Sequence, residues 1–152
     1  MPELTIRAAR PDEADVLSDL AVRSKGHWGY DDAFLDACRA ELAVAPDACD
    51  GEHVLVAVLD GSIAGFVELE GSPPKGELAA LFVDPVHIGG GVGSRLLAAA
   101  VSRAAAMGFE SLVIDADPEA QEFYLRAGAV RIGEVASGSI PGRSLPQLEL
   151  AV

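Results

Sequence analysis

The chain has 152 residues, half of them hydrophobic, and a net charge of −13. Its length fits one domain that buries its own core without staples. Its charge argues against a nucleic-acid partner, which needs a basic face, and against an anionic membrane surface.

The elements follow in chain order. "ELTIRAA" alternates Leu4, Ile6 and Ala8 with polar positions and predicts a first strand. Pro11 then opens a helix with Asp12, Glu13 and Asp15 in its first turn, where the helix dipole favours negative charge. Its apolar face is Val16, Leu17, Leu20 and Ala21, and "SKGHWGY" breaks it. "DDAFLDACRAELAV" predicts a second helix carrying Phe34, Leu35, Cys38 and Leu42. "HVLVAVL" and "SIAGFVELE" are strands joined by Asp60-Gly61, a dipeptide suited to the positive φ of a tight hairpin. "ELAALFV", mostly apolar, predicts a central strand.

A glycine-rich run leads into a helix with Leu96, Leu97, Ala100, Val101 and Ala104 on one face, closed by Gly108. "SLVIDA" is a fifth strand, and a short helix runs from Pro118 to Arg126, with Gly128 stopping it. "AVRIGEV" and "LPQLELAV" pair as the last two strands, with Pro141-Gly142 at a type II turn between them. The order β-α-α-β-β-β-α-β-α-β-β describes one α/β domain over residues 1–152, with a mixed, mostly antiparallel sheet flanked by helices.

No stretch approaches the roughly 20 apolar residues of a membrane span, and the N-terminal segment lacks the layout of a signal peptide. A cytoplasmic location is the expectation. Cys38 and Cys49 have no metal or redox spacing, the three histidines form no ligand pair, and no metal is expected.

"LFVDPVHIGGGVGSRLL" puts four glycines in five positions at a helix start. Backbone N–H groups there lack partners inside the helix, and glycines let a ligand reach them. With the helix dipole, this makes an anion site, and a phosphate is its natural occupant. An ATP P-loop is excluded because Arg95, not a lysine pair, follows Ser94. A nicotinamide loop has Asp115 in its favour, at the end of the next strand. Against it stand Ser94 in the third glycine's place and "DPVHI" between strand and glycines.

The segment Val83 to Leu97 resembles the coenzyme A loop of the GNAT acetyltransferases. Their Q/R-x-x-G-x-G/A pattern maps onto Ile88, Gly89, Gly90, Gly91, Val92 and Gly93, with Ile88 in the usual Gln or Arg place. The element order resembles that fold from end to end. The resemblance implies acetyl-coenzyme A as co-substrate, held by Leu81, Phe82, Val83 and the run from Ile88 to Ser94. It further implies that the strands around Val83 splay and that the Val83 backbone donates to the thioester oxygen.

"DPEAQEFYLRAGA" resembles the family's N-x-x-A-x-x-F-Y-x-x-x-G-F segment at Ala120, Phe123, Tyr124 and Gly128, with Asp117 replacing the asparagine and Ala129 the last aromatic. By resemblance, Tyr124 protonates or hydrogen-bonds the departing sulfur; the alternative is plain packing. Glu77 stands eleven residues before Ile88, a spacing similar to that of the base in some relatives. On simple alternation it shares a face with Ala79, Leu81 and Val83. It is either the general base or a solvated strand-end charge, with Glu68 and Glu70 as substitutes.

His27, Trp28 and Tyr30, between the first two helices, are candidates for one wall of the acceptor site, or an aromatic plug of the core. Arg143, in the last hairpin, is either an acceptor contact or a solvated turn residue. The expected activity is acetyl transfer to a small-molecule amine in a ternary complex. The rivals are a coenzyme A-binding sensor and a nicotinamide enzyme. A homodimer through "LPQLELAV" is a further expectation.

Overall fold

The computed structural model describes residues 3–152. Seven strands form one sheet: β1 (Leu4–Ala8), β2 (Val54–Leu59), β3 (Ser62–Ser72), β4 (Lys75–Val83), β5 (Ser111–Asp115), β6 (Val130–Ala136) and β7 (Ser144–Ala151). The helices are α1 (Ala14–Gly26), α2 (Asp32–Leu42), α3 (Val92–Ala106) and α4 (Gln121–Arg126). The spatial order is β1-β2-β3-β4-β5-β7-β6, and only β4 and β5 run parallel. Among the described residues, no helix is long and apolar enough to cross a membrane.

Sequence patterns account for most of this. Asp60 and Gly61 both take positive φ, 51° and 78°, as a two-residue hairpin turn requires. Two cores lie on the two faces of the sheet. Leu96, Leu97, Ala100 and Ala104 of α3 pack against Val67, Leu69, Leu78, Leu112 and Leu148. Leu17, Leu20 and Ala21 of α1 pack against Val54, Val56 and Phe66. Each large side chain buried in this way contributes about 1.5–3 kcal/mol before conformational entropy is counted.

Several expectations need correction. Pro11–Glu13 is a separate single turn, and α1 begins at Ala14. Glu13 is buried as the partner of Arg7, which grips both carboxylate oxygens at 2.9 and 2.8 Å. Val16 is exposed, because Ala14, Leu17, Leu20 and Ala21 already complete the buried face of α1. The α2 helix buries only Cys38, and its Phe34 stacks on Tyr30. In the sheet, β7 lies between β5 and β6. The outer edge belongs to β6, where Val130 and Ile132 are exposed.

Two irregularities of β4 part the sheet at its centre. Glu68 pairs with Ala80 and Leu69 with Leu78, which leaves Ala79 as an extra residue, a β-bulge. The parallel ladder with β5 holds only from Lys75 to Glu77, opposite Ser111 to Val113. Beyond Glu77, β4 stays on β3 as far as Val83 and parts from β5. The Asp84 N–H donates to the Ala64 carbonyl at 2.8 Å, which sets the alternation. Phe82 therefore bonds to β3, and the backbone groups of Leu81 and Val83 point away from it, into the gap.

Candidate active site

The gap opens into a cleft of about 600 Å³. Leu81, Phe82 and Val83 form one side, Ile114, Asp115 and Ala116 the other, and the N-terminus of α3 one end. The run from Ile88 to Ser94 lines it, Gly90 excepted. The Gly90 N–H is already given to the His87 carbonyl at 3.2 Å.

Gly91 is the N-cap of α3, with φ of 84° and no side-chain cap. The N–H groups of Val92, Gly93 and Ser94 precede the first intrahelical bond, from Arg95 to the Gly91 carbonyl at 3.1 Å. Nothing lies within 4 Å of where a Cβ would stand on Gly89 or Gly91. A Cβ on Gly93 would stand 3.5 Å from the Phe123 ring, an ordinary contact distance. Uncapped donors, open space and the dipole's positive end together fit a pyrophosphate. Ile88, 38% exposed, adds an apolar contact and no charge.

Tyr124 of α4 lines the cleft and is only 6% exposed. Its ring packs edge-on against Phe123. No hydrogen bond to another described residue holds its hydroxyl, which leaves it free toward the cleft. Burial raises its pKa, so the phenol stays protonated.

The acidic candidates sort differently from what simple alternation predicts. The bulge at Ala79 inverts the parity of β4, so Glu77 shares a face with Glu70, Glu68 and Phe82, not with Leu81 and Val83. Glu77 is absent from the cleft wall, whereas Glu68 and Glu70 line it. Burial, then Asp115 and Glu70, raise the Glu77 carboxyl. Burial, then a hydrogen bond with Glu70, push Glu68 up to about 7.

At the other end, Trp28 and Arg143 line the cleft, but His27 and Tyr30 do not. His27 packs edge-on against Trp28. Tyr30 belongs to a knot of charges that the sequence did not reveal. Its hydroxyl lies 3.0 Å from Asp117 Oδ1 and accepts a hydrogen bond from Arg143 Nη2 at 2.7 Å. Lys25 Nζ sits 3.0 Å from Asp117 Oδ2, and Arg143 Nη2 3.4 Å from the same oxygen. Asp117 also accepts from the Glu119 N–H at 2.9 Å. Burial pushes its carboxyl up, but the Glu119 N–H and Lys25 outweigh this and hold it below the ordinary range. The signal available in the sequence was Asp117-Pro118, a capping aspartate where the family pattern has asparagine.

The chain matches the model of the acetyltransferase (GNAT) family over residues 17–129. It is 35% identical over 92 residues to a mycothiol acetyltransferase of Amycolatopsis mediterranei (strain U-32), a match that covers 59% of this chain and 30% of that relative. A GCN5-related N-acetyltransferase from Rhodopseudomonas palustris superposes with a TM-score of 0.79 at 27% identity, covering 100% of this chain and 96% of that one. The PaiA N-acetyltransferase of Thermoplasma acidophilum, solved in complex with coenzyme A, shares the fold at a TM-score of 0.78 and 18% identity, covering 99% of each chain.

Proposed function

The chain belongs to the GNAT family of acetyltransferases, and from that premise we propose that it transfers an acetyl group from acetyl-coenzyme A to the primary amine of a small molecule. One observation carries the proposal: an uncapped, glycine-lined helix N-terminus and the unpartnered hydroxyl of Tyr124 open onto the same cleft. The relatives' names and the coenzyme A in the PaiA structure support the choice of co-substrate.

Acetyl-coenzyme A, when bound, supplies an activated acetyl thioester. The N–H groups of Val92, Gly93 and Ser94 hold its pyrophosphate; with isoleucine at position 88, that grip rests on backbone donors. Leu81 and Val83 offer their free backbone groups to its amide-bearing arm, as an edge strand takes an added strand. The Val83 N–H stabilises negative charge gathering on the carbonyl oxygen. Glu68, with a carboxyl that titrates near neutrality, accepts the amine proton directly or through water. Tyr124 donates to the departing sulfur. Its raised pKa makes it a hydrogen-bond donor at every working pH, at some cost in acidity.

Direct attack within a ternary complex accords with the cysteines. Cys49 is outside the cleft, and burial raises its thiol further from ionisation. Cys38 lines the cleft, and the hydrogen-bond partner of its Sγ is the Ser139 hydroxyl at 3.5 Å, which is no base.

The test is calorimetric titration of the wild type and Gly91→Asp with acetyl-coenzyme A, with NADH as control. The expected result is binding of acetyl-coenzyme A alone, lost in the variant, while its circular dichroism remains that of the folded wild type. Binding of NADH alone would hand the loop to a dinucleotide.

A further inference from the structure

The transferase function leaves the acceptor open, and the charge knot at the far end of the cleft narrows it. Arg143 projects from the turn between β6 and β7, with its side chain 18% exposed. Its guanidinium carbon sits 4.9 Å from the Phe34 ring centroid and 5.1 Å from that of Tyr30, two rings stacked on each other. The guanidinium is thus held in place before any substrate arrives, and ordering it costs a ligand little.

Only one of its nitrogens is engaged within the protein. Nη2 donates to the Tyr30 hydroxyl and to Asp117, while Nε and Nη1 have no partner among the described residues. None of its nitrogens is a buried orphan, so the free donors are open to solvent, and Arg143 lines the cleft. The charges are unequal as well. Lys25 and Arg143 share the single carboxylate of Asp117, a local cluster of two cations and one anion in a cleft whose wall also carries Glu41, Glu68, Glu70, Asp115 and Glu119. A part-buried guanidinium, held in place and with N–H donors to spare, has the chemistry to take a carboxylate oxygen.

Glu68 and Glu70 line the same cleft and have the opposite sign, suited to a protonated amine. One substrate class satisfies both. We infer that the acceptor is a small amino acid, with a carboxylate oxygen accepting from a free N–H of Arg143, at Nη1 or Nε, and its amine directed toward Glu68. This rests on the transferase reading and goes beyond it by naming the acceptor's second functional group.

The experiment measures coenzyme A release with the twenty L-amino acids, their carboxamides, and a set of linear diamines, using wild type, Arg143→Gln and Arg143→Lys. Acetyl-coenzyme A binding is measured in parallel by calorimetry. The expected result is turnover of at least one amino acid, with kcat/KM lower by about tenfold or more for its carboxamide, as loss of a charge-assisted pair requires. Arg143→Gln should raise the KM for the acid and erase the preference for acid over amide. Arg143→Lys should restore part of that preference, and both variants should bind acetyl-coenzyme A as the wild type does.

Carboxamides or diamines used as well as the acids would overturn the inference. So would an Arg143→Gln protein that loses acetyl-coenzyme A affinity, since Arg143 would then serve the donor. Failure to acetylate any amino acid while acetyl-coenzyme A still binds would overturn it too. A wild type that binds no acetyl-coenzyme A would instead sink the transferase reading, and this one with it.

Discussion

Glu70 and Glu77 stand directly across from each other on β3 and β4, two like charges in register on one face of the sheet. Glu68 is on the same face, two residues along, opposite Ala80. Such an arrangement is unfavourable when all three are ionised, and burial sharpens it. The carboxyl that gives way is Glu68, which titrates near 7. The other carboxylates therefore help to create a base suited to neutral pH.

The first prediction is a pH profile. With Glu68 as base, kcat/KM rises with pH through about 7 and then levels, because only the ionised carboxylate accepts the amine proton. Glu68→Gln should cost about 10²–10⁴ in kcat and flatten that acid limb. Glu77→Gln, outside the cleft, should leave kcat near that of the wild type and move the acid limb slightly to lower pH, because it removes one of the like charges that raise Glu68. If Glu77→Gln is the more damaging of the two, the assignment reverses.

Tyr124→Phe should lower kcat roughly tenfold or more while leaving the Kd for acetyl-coenzyme A unchanged. Stability should hardly move, since the hydroxyl has no hydrogen-bond partner among the described residues. Thermal melting and calorimetry on one protein sample check both halves. A large drop in Tm would mean that the hydroxyl is structural.

Glu13 is an acid-labile point of the fold. The Arg7 guanidinium and the Arg10 N–H depress its pKa to about 2, from an ordinary 4.5. A depressed carboxyl stabilises the fold above its unfolded pKa, and that contribution fades as pH falls from about 4.5 toward 2. Glu68 has the opposite sign. Its raised pKa favours the fold below about 4.5, and that contribution is lost as pH rises through about 7. Glu13→Gln should cost about 1–3 kcal/mol in urea denaturation at neutral pH and remove part of the steepness below pH 4.5, the rest coming from Asp50, Asp84 and Asp117.

Asp117→Asn keeps an acceptor for the Glu119 N–H and for the Tyr30 hydroxyl, but leaves Lys25 and Arg143 without their counter-charge. The expected outcome is a higher KM for the acceptor, with the KM for acetyl-coenzyme A within about twofold of wild type, because the knot grips the far end of the cleft. Steady-state kinetics at varied concentrations of each substrate separates the two constants.

Most of the architecture was legible in the sequence because its signals are local. Asp60-Gly61 dictates a hairpin, Gly108 and Gly128 take the positive φ that ends a helix, and the alternation in "ELTIRAA" yields β1. The glycine run was readable for the same reason, since a helix start without side chains means exposed N–H groups wherever it occurs. What escaped was long-range. One extra residue at Ala79 reversed the face of Glu77, and no periodicity argument can see a bulge that depends on the partner strand. The insertion of β7 between β5 and β6 is equally non-local. Tyr30 and Arg143 are bonded to each other although 113 residues separate them, so neither side chain's partner could be inferred from its neighbours.

The early parting of β4 from β5 has a mechanical side. Three residue pairs stitch a block of four strands to a block of three, and beyond them the blocks are joined by the core beneath α3 and by the charge knot around Asp117. Dispersion and hydrophobic contact are non-directional, so they resist separation far better than sliding. Hydrogen-bond ladders resist both. A guest bonded to both lips of the opening would therefore act as a splint as well as a reactant, stiffening the seam while it is bound and releasing it on departure.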